Sequence, residues 1–96
     1  MKPSLALDPH RAAVREATAR FRASNPRIFG PVVQGTDMEG SDLDLLVETL
    51  PGATLFDVIG LQIELAELLG VSVNVVTLGG LKGRFRDEIL AEALPI

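Results

Sequence analysis

Apolar residues Ala13, Val14, Ala17 and Phe21 recur at i, i+3 and i+4, the spacing of one helix face. With Asp8 as N-cap and Pro9 in the first turn, they predict a helix over residues 8–24. Ser24-Asn25-Pro26 ends it. The pattern then predicts a short strand from Arg27 to Val33, interrupted by Gly30-Pro31, and a loop over residues 34–41. From Asp42 the chain alternates as a strand through Leu43 to Leu50, and Pro51-Gly52 turns it. Thr54 and Asp57 have capping-box spacing for a helix over 55–69 that Gly70 ends. Its expected inner positions are Leu55, Val58, Ile59, Ile63, Ala66 and Leu68 or Leu69. Val71, Val73, Val75 and Val76 predict a third strand, and Gly79-Gly80 a loop. A last helix is expected over 81–94, with Phe85, Ile89, Leu90 and Ala93 inward. The order α-β-β-α-β-α predicts an α/β (α+β) fold, a small mixed three-stranded sheet with about three helices. Residues 1–96 are expected to form one domain.

The second strand carries the chemistry. Asp42 and Asp44 stand one residue apart in an apolar run, so they share a face while Leu43, Leu45 and Val47 take the other. Two carboxylates roughly 7 Å apart on one strand face repel each other. A divalent metal is the simplest species to relieve that. A turn rich in glycine, Gly30 to Gly35, lies just upstream, where a phosphate can approach backbone. If the third strand lies beside the second with Val73 and Val75 facing the core, Asn74 is the central polar residue on the carboxylate side.

Composition narrows the function. The chain is 47% apolar, has four Phe and no Tyr or Trp, and has no cysteine. A Leu, Val, Ile and Ala core is expected, without disulfides, thiolate metal sites or cysteine nucleophiles. Such usage fits a cytoplasmic location. No apolar run approaches a membrane span, so no membrane association is expected. Net charge is −4, distributed unevenly. Residues 1–30 carry +4, residues 31–81 carry −8 with no base, and residues 82–96 are balanced. The acidic centre argues against direct nucleic-acid binding and suits a cation or a basic partner face. His10 is the only histidine and builds no site alone. Gly30-x4-Gly35 lacks the Lys-Ser/Thr of a P-loop, and Gly79, Gly80 and Gly83 make no dinucleotide fingerprint.

Gly30-Pro31, ten intervening residues, Asp42-Leu43-Asp44 and then Asn74 together resemble the minimal nucleotidyltransferases, small members of the DNA-polymerase-β-like superfamily. Many of these act as antitoxins of HEPN-domain toxins. The resemblance spans nearly the whole chain and implies a polymerase-β-type nucleotidyltransferase fold. It places Asp42, Asp44 and Asn74 in the catalytic positions, with Asp42 and Asp44 as metal ligands. It assigns Gly30, Pro31, Gly35 and Ser41 to nucleotide phosphates. It further implies two Mg2+ ions, ATP as donor, transfer of AMP to a HEPN ribonuclease, and a hetero-complex with that toxin or a homodimer. Three positions depart from the family's pattern. Pro31 replaces a serine and lacks its hydroxyl and N–H, Gln34 replaces a basic residue, and Asn74 replaces the third carboxylate. The resemblance thus leaves a weakened adenylyltransferase, a partner that neutralises by binding alone, and a nucleotide sensor to be separated.

Overall fold

The computed structural model describes residues 1–96. Its frame is a four-stranded sheet in the order β3-β2-β1-β4. The strands are β1 (Ala23–Phe29), β2 (Leu43–Thr49), β3 (Val73–Thr77) and β4 (Leu94–Pro95). β1 runs antiparallel to β2 and to β4, whereas β3 runs parallel to β2. The helices are α1 (Pro3–Leu7), α2 (Arg11–Arg20), α3 (Pro31–Gln34), α4 (Leu55–Leu69) and α5 (Gly83–Glu92). Short 3-10 turns occupy Asp8–His10 and Leu78–Gly80. No helix is long and apolar enough to cross a membrane.

β2 is the structural centre because both its faces are covered. Leu43, Leu45 and Val47 enter the main core with Val14, Leu61 and Leu65 from α2 and α4. Leu46 points the other way, into a second cluster with Phe29, Leu81 and Ile89 beneath α5. All four β2 side chains are fully buried, each stabilising the fold by roughly 1.5–3 kcal/mol relative to exposure. Asp44 interrupts the apolar run Leu43–Val47 and is half-buried.

α4 forms at the predicted bounds. Asp57 Oδ2 accepts the Thr54 backbone N–H at 2.8 Å, and Gly70 closes the helix with φ +70. Such a first-turn acid satisfies a donor that has no intrahelical partner. The crossover through α4 makes β2 and β3 parallel and sets Asp44 opposite Asn74.

Several expected features differ. The sheet has four strands, because Leu94 and Pro95 pair with Ile28 and Arg27 on the free edge of β1. The helix expected over 8–24 is divided into the 3-10 turn and α2 and stops at Arg20, and an unexpected short helix, α1, precedes it. Ser24-Asn25-Pro26 does not separate helix from strand but lies inside β1. The register slips between Ser24 and Arg27, and Asn25 adopts φ +52. A bulge is the place where a strand tolerates proline. β1 ends at Phe29, and residues 31–34 coil into α3 instead of continuing the strand. On α4 the buried residues are Leu61, Leu65 and Leu69, while Leu55, Ile59 and Ile63 are exposed. Phe85 of α5 is exposed as well; only Ile89 of its expected inner residues is fully buried.

Candidate functional site

The site lies at the end of the sheet where β1 stops, β2 begins and β3 runs alongside. Alternation on β2 turns Asp44 away from the main core. The parallel register then delivers Asn74 to it. Asn74 Nδ2 donates to Asp42 Oδ2 and to Asp44 Oδ1, both at 3.2 Å. Two carboxylate oxygens, one from the residue just before β2 and one from β2 itself, therefore converge on a single atom of β3.

Gly30 completes this corner. Its φ of +74 and ψ of −151 belong to a region open essentially to glycine alone. A Cβ built there would stand 2.5 Å from Asp44 Oδ2. Backbone and carboxylate are thus in direct contact, and no side chain fits between them.

Asp44 is held above the ordinary carboxylate pKa. Burial is the main cause; the hydrogen bond from Asn74 opposes it, and the charges of Asp42 and Glu92 add to the upward push.

The corner opens into a cavity of about 730 Å3. Gly30, Asp44 and Asn74 line its polar side, and Val76, Phe85 and Ile89 its apolar side. Glu88, Glu92 and Asp44 are its charged residues; no lysine or arginine lines it. Asp42 faces a smaller depression of about 320 Å3, which shares Asn74 and Gln62 with the first.

The expected site residues divide in two. Asp42, Asp44, Asn74 and Gly30 are brought together. Pro31, Gly35 and Ser41 do not line the main cavity. Pro31 opens α3, Gly35 ends it in a left-handed conformation, and Ser41 Oγ accepts the Met38 N–H at 2.9 Å to close the following loop. One residue of the corner carries no signal in the sequence pattern, and another, Phe85, is expected from that pattern to face the core. Glu92, the last residue of α5, accepts hydrogen bonds from Gly30 N at 3.0 Å and from Gln34 Nε2 at 2.6 Å. Phe85 supplies an exposed aromatic wall.

The donor set fits one divalent cation. Such ions take one or two carboxylates and complete their shell with water and phosphate oxygens. Asp42 Oδ2 and Asp44 Oδ1 already converge, and an Asn74 amide turned over presents an oxygen. The site does not contain three acidic or histidine ligands grouped around one point. The geometry therefore fits one ion more readily than a two-ion cluster.

The fold has counterparts among known proteins. The family model described as nucleotidyltransferase domain matches residues 14–96. The protein adenylyltransferase MntA of Thermococcus cleftensis is 33% identical over 88 residues, 92% of this chain and 86% of that protein. A solved candidate minimal nucleotidyltransferase superposes with a TM-score of 0.88 at 43% identity, covering 97% of this chain and 95% of that one. A toxin-antitoxin crystal structure with AMP-PNP shares the fold, with a TM-score of 0.69 at 18% identity over 84% of this chain and 70% of that one. The α+β sheet, the carboxylate corner on β2 and the match across most of the length agree, and the chain belongs to the nucleotidyltransferase domain family in its minimal form.

Proposed function

We propose that this chain is an antitoxin-type nucleotidyltransferase domain. It would bind ATP with Mg2+ at the Asp42/Asp44 corner and act on a HEPN ribonuclease toxin, with slow transfer of AMP to that partner. The observation that carries this reading is the convergence of Asp42 Oδ2 and Asp44 Oδ1 on one point beside the bare backbone of Gly30. Relatives of this chain are named for protein adenylylation, and structural neighbours are toxin-antitoxin complexes.

The residues have separable tasks. Asp42 and Asp44 would hold the metal ion, which when bound neutralises phosphate charge and lowers the pKa of an attacking hydroxyl. Asn74 positions the two carboxylates by donating to both, and it cannot serve as a general base. Gly30 lets a phosphate group come close to backbone. The apolar wall of Val76, Phe85 and Ile89 offers a surface for a nucleobase or an acceptor side chain. The acceptor hydroxyl would arrive on the partner.

Slow transfer follows from what the corner lacks. Pro31 offers no N–H, and no cation lines the cavity to stabilise the departing pyrophosphate. Single electrostatic contacts to a transition state are each worth about 3–4 kcal/mol, so their loss slows chemistry by orders of magnitude. A second reading is neutralisation by binding alone. It is favoured by one observation: the Asn74 amide already sits between the two carboxylates where a cation would.

Incubating the chain with its HEPN partner, ATP and Mg2+, followed by intact-mass measurement, separates the two. One adenylate added to the partner, and none with D42A/D44A, supports the enzyme. No added mass with either the parent chain or N74D/P31S, alongside tight complex formation, supports binding alone.

A further inference from the structure

Glu92 lies far from Gly30 in sequence and against it in space. α5 brings it there because β4 pairs on the edge of β1 and pins the chain immediately after the helix. Its two carboxylate oxygens are spread over two donors: Oε2 takes the Gly30 N–H at 3.0 Å, and Oε1 takes Gln34 Nε2 at 2.6 Å. The placement runs against charge. Glu92 adds to the negative field on Asp44, and no lysine or arginine in the cavity compensates. What holds a third carboxylate in this cleft is the pair of loop donors. Those donors suit any small oxyanion, because a carboxylate and a phosphate present the same kind of acceptor edge. Pro31 contributes no donor, so Gly30 N–H and Gln34 Nε2 are the scarce ones.

We propose that Gly30 N–H and Gln34 Nε2 form an anion site for a nucleotide phosphate, and that Glu92 is its resident occupant and must swing away before the phosphate enters. This rests on the nucleotide-binding reading above and adds its regulation. Vacating the donors requires the Glu92 carboxylate to leave Gly30 N–H and Gln34 Nε2. Any partner contact that draws the end of α5 or Glu92 outward would open the site, whereas the free chain would keep it shut.

The test compares the parent chain with E92A and E92Q. Calorimetric titration with AMP-PNP and Mg2+ gives affinity, and amide hydrogen exchange of Gly30 in the nucleotide-free protein reports the contact. Removing the competing charge should tighten AMP-PNP binding by about 10-fold in E92A, the equivalent of one charge-assisted hydrogen bond. E92Q keeps the size and one acceptor but not the charge, so it should fall between. Gly30 exchange should be slow in the parent and faster in E92A. Thermal unfolding checks that each variant is folded; E92Q carries the comparison if E92A is not. Equal affinities in the three proteins overturn the competition and leave nucleotide binding intact. Weaker binding in both variants overturns it too, and makes Glu92 part of the ligand set. No binding by any of them at millimolar AMP-PNP removes the nucleotide reading and the competition with it.

Discussion

Replacing Asn74 by Asp exposes what the amide does. Its Nδ2 donates to one oxygen of Asp42 and one of Asp44, each at 3.2 Å. In N74D both donations are lost and a third carboxylate meets the other two. Asn74 and Asp42 are exposed, so the water-like limit applies: about 1 kcal/mol of repulsion for each charge pair near 4 Å. The lost hydrogen bonds add roughly 0.5–1.5 kcal/mol apiece, less where the side chains splay into water. Two charge pairs and two hydrogen bonds set an upper limit of about 3–5 kcal/mol, which splaying into water reduces to a destabilisation of about 1–3 kcal/mol at neutral pH without metal. For a domain of this length that lowers Tm by roughly 5–20 °C. Mg2+ should then restore much of the loss, because an ion that binds only the folded state stabilises it by mass action. Thermal unfolding in chelator and in millimolar Mg2+ reads both effects. N74A is the control, losing the donations without gaining charge, and it should respond to Mg2+ far less than N74D. An N74D protein as stable as the parent in chelator, or one whose Tm ignores Mg2+, refutes the reasoning that the three side chains share one point.

Other positions give independent checks. G30A and G35A both force an L side chain into a positive-φ backbone, but G30A enters the region open essentially to glycine alone, at a cost of about 1–3 kcal/mol, and also displaces Asp44, whereas G35A meets no atom within 4 Å. G30A should therefore melt lower than G35A in parallel thermal scans; equal melting would contradict the contact. Asp44 has a raised pKa, so the folded state binds its proton more tightly, and stability falls as pH rises between the ordinary carboxylate value and the raised one. D44N should consequently gain stability over the parent above that window and none below it, measured by denaturant titration across pH. Asp37 is shifted the opposite way by the backbone N–H of Ser4. The docking of α1 that it supports should be present above the unfolded carboxylate pKa and fade as pH falls through the lowered one. Protection of the Ser4 amide in hydrogen exchange should follow that curve in the parent, whereas D37N, which keeps an acceptor oxygen but no charge, should show no such pH dependence.

Local signals carried much of this fold. Thr54, Asp57 and Gly70 mark both ends of α4 because capping chemistry acts over three or four residues. The alternation that places Asp42 and Asp44 together needs only a strand, and the parallel crossover makes Asn74 their neighbour. The inner face of α4 was not legible. Leu55, Phe56, Ile59, Leu61, Ile63 and Leu65 surround the helix, and a stripe that nearly encircles has no preferred phase. Packing into the main core against β3 and α2 chose Leu61 and Leu65 and left Ile59 and Ile63 outside. Ser24-Asn25-Pro26 read as a break because proline and a left-handed asparagine usually end elements, yet a bulge absorbs both. β4 is two residues long and exists only through pairing with β1, so no local pattern announces it. Glu92 was invisible for the same reason: its role comes from where β4 anchors the end of α5.

Nuclear magnetic resonance titration of the isotopically labelled chain with AMP-PNP, with and without Mg2+, tests the central claim most directly. The account predicts saturable, Mg2+-dependent shifts centred on the amides of Gly30, Asp42, Asp44 and Asn74, abolished in D42A/D44A. Spectra unchanged at millimolar nucleotide and Mg2+, or shifts that persist in D42A/D44A, would contradict it.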